Sequence, residues 1–563
     1  MANLRMILWL SFGLALWMGY QAWVLDYSVA EPVVDPNPPA EVQPPIDTSL
    51  PELAAPAPAA SPQTDSERDA ALPALPGAVD APVTPAATAQ RNVRVKTDVL
   101  DVTINLDGGN LVGADVVRYP VHKDQPDIPV TLLSANPNQR FVLQSGLRTP
   151  AGGEEPNHLA AFDAAKTEYS LSAGEDELVV TLQWRGNAAV KASKQFVFRR
   201  GSYHVEHRLV VDNGSAEPYA AAAYTQLVRT HVPVERSFVS VDSYSYTGPV
   251  YYDGEKYQKL DVEDLAEEPL KGTFTNGWVA SIQHHFLAAA VPPPDQPTAY
   301  QGTVRGDQYS LAAVGPLLEI APGERRAYPM SLFVGPKLQS QLTEVAKGLE
   351  LTVDYGFLTI LAQPLFWLLS KVHEYVGNWG WSIIIVTALI KLVFYKLTET
   401  SGRSMAKMRK LQPRMKAMQE RFKDDRQALS QAMMEMYKRE KVNPAAGCLP
   451  ILIQMPFFFA FYWVLIESVE MRQAVFALWI NDLSSKDPFF VLPLLMGVAM
   501  LFQTRLNPAP PDPIQAKVMQ IMPVVFTVFF AFFPAGLVLY WLTNTLLSIA
   551  QQWNINRKIE AAG

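Results

Sequence analysis

Cysteine is almost absent: Cys448 is the single one in 563 residues, so no intramolecular disulfide can form and redox chemistry does not hold the fold. Its apolar flanks mark it as a small buried hydrophobe and not a reactive thiol. Nothing in the chain resembles a nucleotide-binding loop, so hydrolysis of a nucleotide has no visible machinery. Histidine is scarce at eight residues, and seven of them fall between Val93 and Val345. His204 and His207 lie three apart in a strand pattern, on opposite faces, and His284 and His285 diverge in the same way, so no metal centre is expected. Aromatics are nearly missing from residues 27–92, which are rich in Pro, Ala and acids. Such a stretch cannot bury enough apolar surface to offset chain entropy and reads as a disordered tether.

What the chain does have is hydrophobicity, unevenly placed. A mean hydropathy of +0.03 and a net charge of −8 average over a polar half, up to about Glu350, and an apolar half after it. Residues 6–25 form an uncharged apolar run behind Arg5. It is as long as a span, and Trp17, Tyr20 and Trp23 spoil a small-residue cleavage site, so residues 1–26 read as an uncleaved anchor with a cytoplasmic N-terminus. Over 93–345 the period becomes two. Val102, Ile104 and Leu106 alternate with Thr103, Asn105 and Asp107 before Gly108-Gly109; Leu178, Val180, Leu182 and Trp184 repeat the pattern, as do Tyr203, Val205, Leu209 and Val211. Many short strands divided by turns predict a large all-β sandwich on the far side of the membrane.

Residues 346–378 hold an amphipathic helix at 355–376. Thr359, Gln363, Ser370 and Glu374 fall on one side, Leu358, Leu361, Leu365, Leu368, Leu369 and Val372 on the other, with Pro364 bending it; this suits the plane of the membrane interface. Five further spans are expected at about 379–398, 448–469, 489–506, 518–533 and 536–552. The fold class is therefore an α-helical polytopic membrane protein with six transmembrane helices, its core at 379–563. The last two spans, joined at Pro534-Ala-Gly536, have about 16 residues each, near 24 Å, shorter than the usual hydrocarbon thickness of about 30 Å.

The excess of Lys and Arg in the loop 399–447 fixes that loop, and by counting also the C-terminus, in the cytoplasm. It reads as a helical hairpin with an apolar stripe at Met405, Met408, Leu411, Met415, Met418 and Phe422, continued by Leu429, Met433 and Met436. The stripe closes the hairpin, or offers flexible side chains that capture varied apolar clients; both hold if the hairpin opens. Glu420, Asp424, Asp425, Glu435 and Glu440 dilute the positive charge. Contact with a ribosome or the signal recognition pathway is compatible with this loop, whereas specific nucleic-acid binding is not expected.

Lys391 stands inside the apolar run Trp379–Tyr395, where a charge costs a few kcal/mol on insertion scales (about 2.5–3.5). Either its ammonium snorkels to the interface, or it serves a wet cavity. Thr387, four residues earlier, shares its face. The spans are also polar and proline-broken, with Gln454, Pro456, Gln503, Pro523 and Asn544. Such groups face each other or a hydrated cavity, because lipid cannot satisfy them.

Three motifs then carry a resemblance. Asn443-Pro-Ala-Ala-Gly-Cys448-Leu-Pro-Ile-Leu-Ile-Gln454-Met-Pro456, Phe476-Ala-Leu-Trp-Ile-Asn-Asp-Leu483 with Asp487-Pro488, and Phe533-Pro-Ala-Gly-Leu-Val-Leu-Tyr-Trp541-Leu-Thr-Asn544 make the chain similar to the YidC family of membrane protein insertases, in its six-span Gram-negative form. The resemblance implies a hydrophilic groove open to the cytoplasm and to lipid and closed toward the periplasm. On its floor the family keeps a positive residue, usually Arg; here Lys391 stands in that position. By the same carry-over Gln454 and Trp541 line the groove. The expected client-binding set is thus Lys391, Thr387, Gln454, Trp541 and Asn544, with Met405, Met408, Met415 and Met418 as a capture loop. The resemblance also implies a bacterial inner-membrane location, nascent membrane proteins as clients, and the Sec translocon with its accessory subunits as partners. It implies a β-domain like that of sugar mutarotases. With no nucleotide-binding loop in the chain, an insertase and not an enzyme is expected, with no cofactor. Two rival readings stay open: a transporter or channel with Lys391 as an anion site, and a membrane-anchored glycan-binding or sugar-converting protein resting on the β-domain.

Overall fold

The computed structural model describes Pro51 and residues 91–561, apart from 151, 153, 187–188, 234–244, 423–424, 441–448 and 507–512. The expected anchor at 1–26, most of the tether at 27–92, and Cys448 lie outside the described residues. The chain divides into two compact units: Val29–Glu235 with Tyr246–Thr352, and Val353–Gly563 with Arg236–Ser245.

The first unit is built of strands, from Asn92–Lys96 to Arg325–Pro336, arranged in an 11-stranded and a nine-stranded sheet. Alternation in sequence becomes alternation in burial, since successive strand residues point to opposite faces. Leu100, Val102 and Ile104 are buried while their neighbours are half-exposed. Gly108 and Gly109, at φ 106° and 60°, then supply the left-handed backbone that reverses the chain. In one sheet Phe141–Arg148 pairs antiparallel with Tyr219–Thr230; in the other His204–Asn213 lies between Val190–Arg199 and Arg325–Pro336. Leu147 and Ala221 from the first meet Val190, Leu209 and Val211 from the second in the core. Two short helices, α1 (Val262–Glu267) and α2 (Gln339–Val345), belong to this unit. The first strand begins at Asn92, one residue inside the expected tether. Pro51, the described residue of the tether's earlier part, is buried, and its carbonyl accepts from Arg148 Nη1 at 2.8 Å, so the tether does not run free there.

The strand pattern Val205–His207–Leu209–Val211 places an imidazole in an inward slot. His207 is buried, with Nε2 at 3.2 Å from Ser145 Oγ, while His204 faces the other way and is half-buried. Beside it Lys194 is fully buried and donates to the carbonyls of Gly108 and Ser145, each at 2.6 Å, with its ammonium 4.8 Å from the Phe162 ring centre. Burial holds the Lys194 amine well below its ordinary pKa. Burial first, and the neighbouring Lys194 second, push His207 down to about 3. His284 and His285 correct the expectation of divergence: they form the turn between Trp278–Gln283 and Phe286–Val291, and their rings stack at 3.7 Å. The turn bends the backbone, so strand alternation no longer separates them.

The second unit is helical. After a short turn, α3 (Thr359–Val376) buries Ala362, Leu365, Phe366 and Leu369 and runs on through Pro364. It leaves Ile360, Trp367 and Tyr375 exposed. Gly377, left-handed at φ 67°, ends it, and Asn378 caps α4 (Trp379–Val393) by accepting from the Trp381 amide at 3.1 Å. The expected span 379–398 is corrected: the helix stops at Val393, and the chain turns by 64° into α5 (Tyr395–Arg421). The turn falls where the apolar run gives way to Lys396, Glu399 and Arg403. Then follow α6 (Arg426–Arg439), α7 (Leu449–Glu467), α8 (Val491–Leu506), α9 (Pro513–Phe530) and α10 (Ala535–Ala561).

The helices that hold the two short final spans run past them, since α9 has 18 residues and α10 has 27. Hydrophobicity ends near Gln551, but the helix continues because Gln551 and Ile555 are buried. Gln551 Nε2 donates to the Tyr395 carbonyl at 3.3 Å, and Ile555 packs beside Gly402 of α5. Among the described residues no single helix is long and apolar enough to cross a membrane. The pair Trp379–Val393 and Tyr395–Ser404 is so only together, across its bend, and Val491–Leu506 and Ala516–Phe530 are shorter apolar helices.

Candidate functional site

In the helical unit α10 packs along α4, and α7 supplies a third wall. Where they meet, a small pocket is lined by Thr387 and Lys391 from α4, Gln454 and Phe457 from α7, and Tyr540 and Asn544 from α10, among others. Four of the five expected groove residues are thus brought together. Lys391 lies in the last turn of α4, where the helix dipole favours a cation. Its Nζ donates to Ser548 Oγ at 2.7 Å, and among the described residues no carboxylate lies near enough to pair with it. Ser548 in turn donates to the Asn544 carbonyl at 2.7 Å, and the Asn544 side chain accepts from Gln454 Nε2. Thr387 donates back to the Ile383 carbonyl at 2.6 Å, so its own hydroxyl is satisfied within α4. A polar line therefore links the three helices.

Trp541, the fifth expected residue, does not line the pocket. Neighbours in a helix are about 100° apart, and Tyr540 takes the inward position instead. The indole packs against Phe458 and Phe530, with ring centres 4.8 and 5.4 Å away. Tyr540 is held by stacking on Phe461 at 4.4 Å. Sequence reasoning also missed Ser548, although its position one turn after Asn544 was a signal of a shared face.

One end of this arrangement is covered by the loop between α7 and α8. Phe476 lies over Gly380, where an added Cβ would collide with its ring. Asn378 Nδ2 donates to the Phe476 carbonyl at 2.9 Å. Buried Asp487 accepts from Trp479 Nε1 at 3.0 Å and from the Leu492 amide at 2.7 Å, which fixes the start of α8. The amides of Ala535 and Gly536 donate to Ser485 and Leu483 carbonyls at 2.7 and 2.9 Å, tying the start of α10 to the same loop. The second and third sequence motifs thus meet in one cap, and Lys391, at the other end of α4, lies away from it.

In the α5–α6 hairpin the methionine stripe turns inward. Leu411 and Met415 are buried and pack with Met408, Met433, Met436 and Tyr437. Tyr437 Oη lies 3.9 Å from Met415 Sδ, and Arg414 pairs with Glu440 at 2.8 Å. Met418 is half-buried, and the Met405 side chain lies outside the described residues. The stripe closes this hairpin.

Two family models divide the chain between them: the YidC periplasmic domain matches residues 92–368, and the 60Kd inner membrane protein matches residues 371–562. The membrane protein insertase YidC of Nitrosococcus oceani is 46% identical over 565 residues and all of both chains. The chain belongs to the YidC family. A second YidC, from Thioalkalivibrio sulfidiphilus, is 48% identical over 575 residues, again across the whole of both chains. Among solved structures, an active YidC insertase aligns with 82% of this chain and 92% of its own at 20% identity and a TM-score of 0.37. The YidC relatives are named insertases and lend no support to a transporter or channel.

Proposed function

We propose that the chain is a membrane protein insertase, and not an enzyme, that receives nascent membrane proteins from the cytoplasm in the pocket between α4, α7 and α10. The observation that carries this reading is the polar line Lys391–Ser548–Asn544–Gln454 along a pocket between three helices. An ammonium has three donors and Ser548 takes one, which leaves donors for a carboxylate in the client's tail. At about 4 Å and an effective dielectric near 20 such a pair attracts by roughly 4 kcal/mol, offset in part by desolvation. The tail is thus drawn out of bulk water into the groove. The client's apolar segment leaves sideways over the exposed apolar faces of the bundle, such as Ile521, Val525 and Val528 of α9. Burial of that segment in lipid supplies the free energy, and the membrane potential assists negatively charged tails.

This reading places the protein in the bacterial inner membrane with six spans, both termini cytoplasmic and the β-rich unit periplasmic. It acts alone or beside the Sec translocon and its accessory subunits, and the hairpin opens to offer Met408, Met415 and Met418 to clients. The test is reconstitution in sealed vesicles with a single-span client bearing a short acidic tail. Tail translocation, read as a protease-protected fragment, is expected without any nucleotide. A strict requirement for ATP or GTP in that purified system would overturn the reading.

A further inference from the structure

We propose that Ser548 is a positioning residue that keeps the Lys391 ammonium inside the groove. The inference rests on the insertase reading of the pocket and extends it to a residue outside the pocket lining. Lys391 sits in the last turn of α4, and the next two residues, Leu392 and Val393, are 66% and 77% exposed. A lysine at such a helix end has a ready escape, because its long stem lets the charge reach the interface. Ser548 closes that escape. Its own proton is committed to the Asn544 carbonyl at 2.7 Å, so the oxygen's lone pairs are left to accept from Lys391 Nζ, which stands at 2.7 Å. The serine is therefore fixed as an acceptor for the amine. Because Asn544 also accepts from Gln454, α10 relates the charge to the third wall of the pocket. Ser548 holds the ammonium from the α10 side and leaves the pocket side for a client. A flexible lysine gains most from such a partner, since it lacks the planar fork that pre-organises a guanidinium.

The experiment uses the full-length protein in vesicles and two clients that differ only in tail charge, acidic or neutral. Ser548→Ala is expected to lower insertion of the acidic-tailed client about three- to tenfold and to leave the neutral one within twofold. Ser548→Thr, which keeps the hydroxyl, should restore the acidic client. In a Lys391→Ala background Ser548→Ala should have no further effect, because residues acting through one another are not additive. An equal loss for both clients, a loss that Thr does not rescue, or an undiminished loss in the Lys391→Ala background would each overturn the proposal. If Lys391→Ala itself leaves the acidic client unaffected, the insertase reading of the charge fails, and this proposal with it. If Lys391→Ala impairs insertion and Ser548→Ala does not, only the proposal for Ser548 fails.

Discussion

Replacing Lys391 with Glu will reduce insertion of an acidic-tailed client by at least tenfold, and Lys391→Ala by about ten- to a hundredfold, while Lys391→Arg will stay within about threefold of wild type. The order follows from charge. The ammonium is the cation of the polar line, and no carboxylate among the described residues neutralises it. Alanine removes the attraction and leaves Ser548 without its donor. Glutamate replaces attraction with repulsion at a place of reduced dielectric. Arginine keeps the charge and adds bidentate geometry. The measurement is the protected fraction of a client whose tail carries two Asp residues, beside the same client with two Asn. Loss of both clients in equal measure would assign Lys391 to the fold and not to client attraction.

The second large effect concerns acid. His207 is depressed from 6.5 to about 3 because the buried site penalises its charged form and Lys194 adds repulsion. The unfolded chain therefore binds more protons than the folded one between those values, and stability falls as pH drops through 6.5 toward 3. At 1.36 kcal/mol per unit the full loss is about 5 kcal/mol, an order-of-magnitude figure comparable with a domain's whole stability. Lys194, whose ammonium burial also disfavours, adds the same trend at higher pH. The variant His207→Phe fits beside Phe196, whose ring lies 4.7 Å from the imidazole, and removes the titration. Between pH 6.5 and 4.5, above the range where most carboxylates titrate, the urea midpoint of the β-rich unit in the full-length protein should fall steeply in wild type. Limited proteolysis in urea reads it, and His207→Phe should flatten the curve. Parallel curves for the two proteins would mean that another group controls acid stability.

How much of this was legible in the sequence depended on whether a local rule or a packing event decided the outcome. Strand alternation at Leu100–Asn105 and the turn at Gly108-Gly109 were legible because period and backbone freedom are local. The inward slot of His207 followed from the same alternation. Lys194 was not foreseen, since a lysine in a strand is ordinarily an outward residue; its burial depends on two carbonyls, from Gly108 and Ser145, distant in sequence. The stacked His284–His285 pair escaped because a turn was read as a strand. Among the helices, apolar runs located the elements but misplaced their ends. The chain bends at Phe394, where the apolar run gives way to charge, and α10 continues beyond its apolar stretch because α5 buries its polar tail. In the pocket, Thr387, Lys391, Gln454 and Asn544 were legible as polar groups that lipid would not satisfy. Tyr540 and Trp541 exchanged roles because a one-residue shift on a helix turns a side chain by about 100°.

On the insertase reading, a client's tail enters the pocket between α4, α7 and α10. A photoreactive residue placed at Gln454 or at Tyr540, with a ribosome-stalled client probed at its tail, tests this most directly. Leu494, exposed on the outer face of α8, serves as the comparison position. Strong tail adducts are expected from Gln454 and Tyr540, few from Leu494, and loss of the pocket adducts in Lys391→Glu. Tail adducts from Leu494 as strong as those from the pocket, or none from Gln454 and Tyr540 while insertion proceeds, would contradict it.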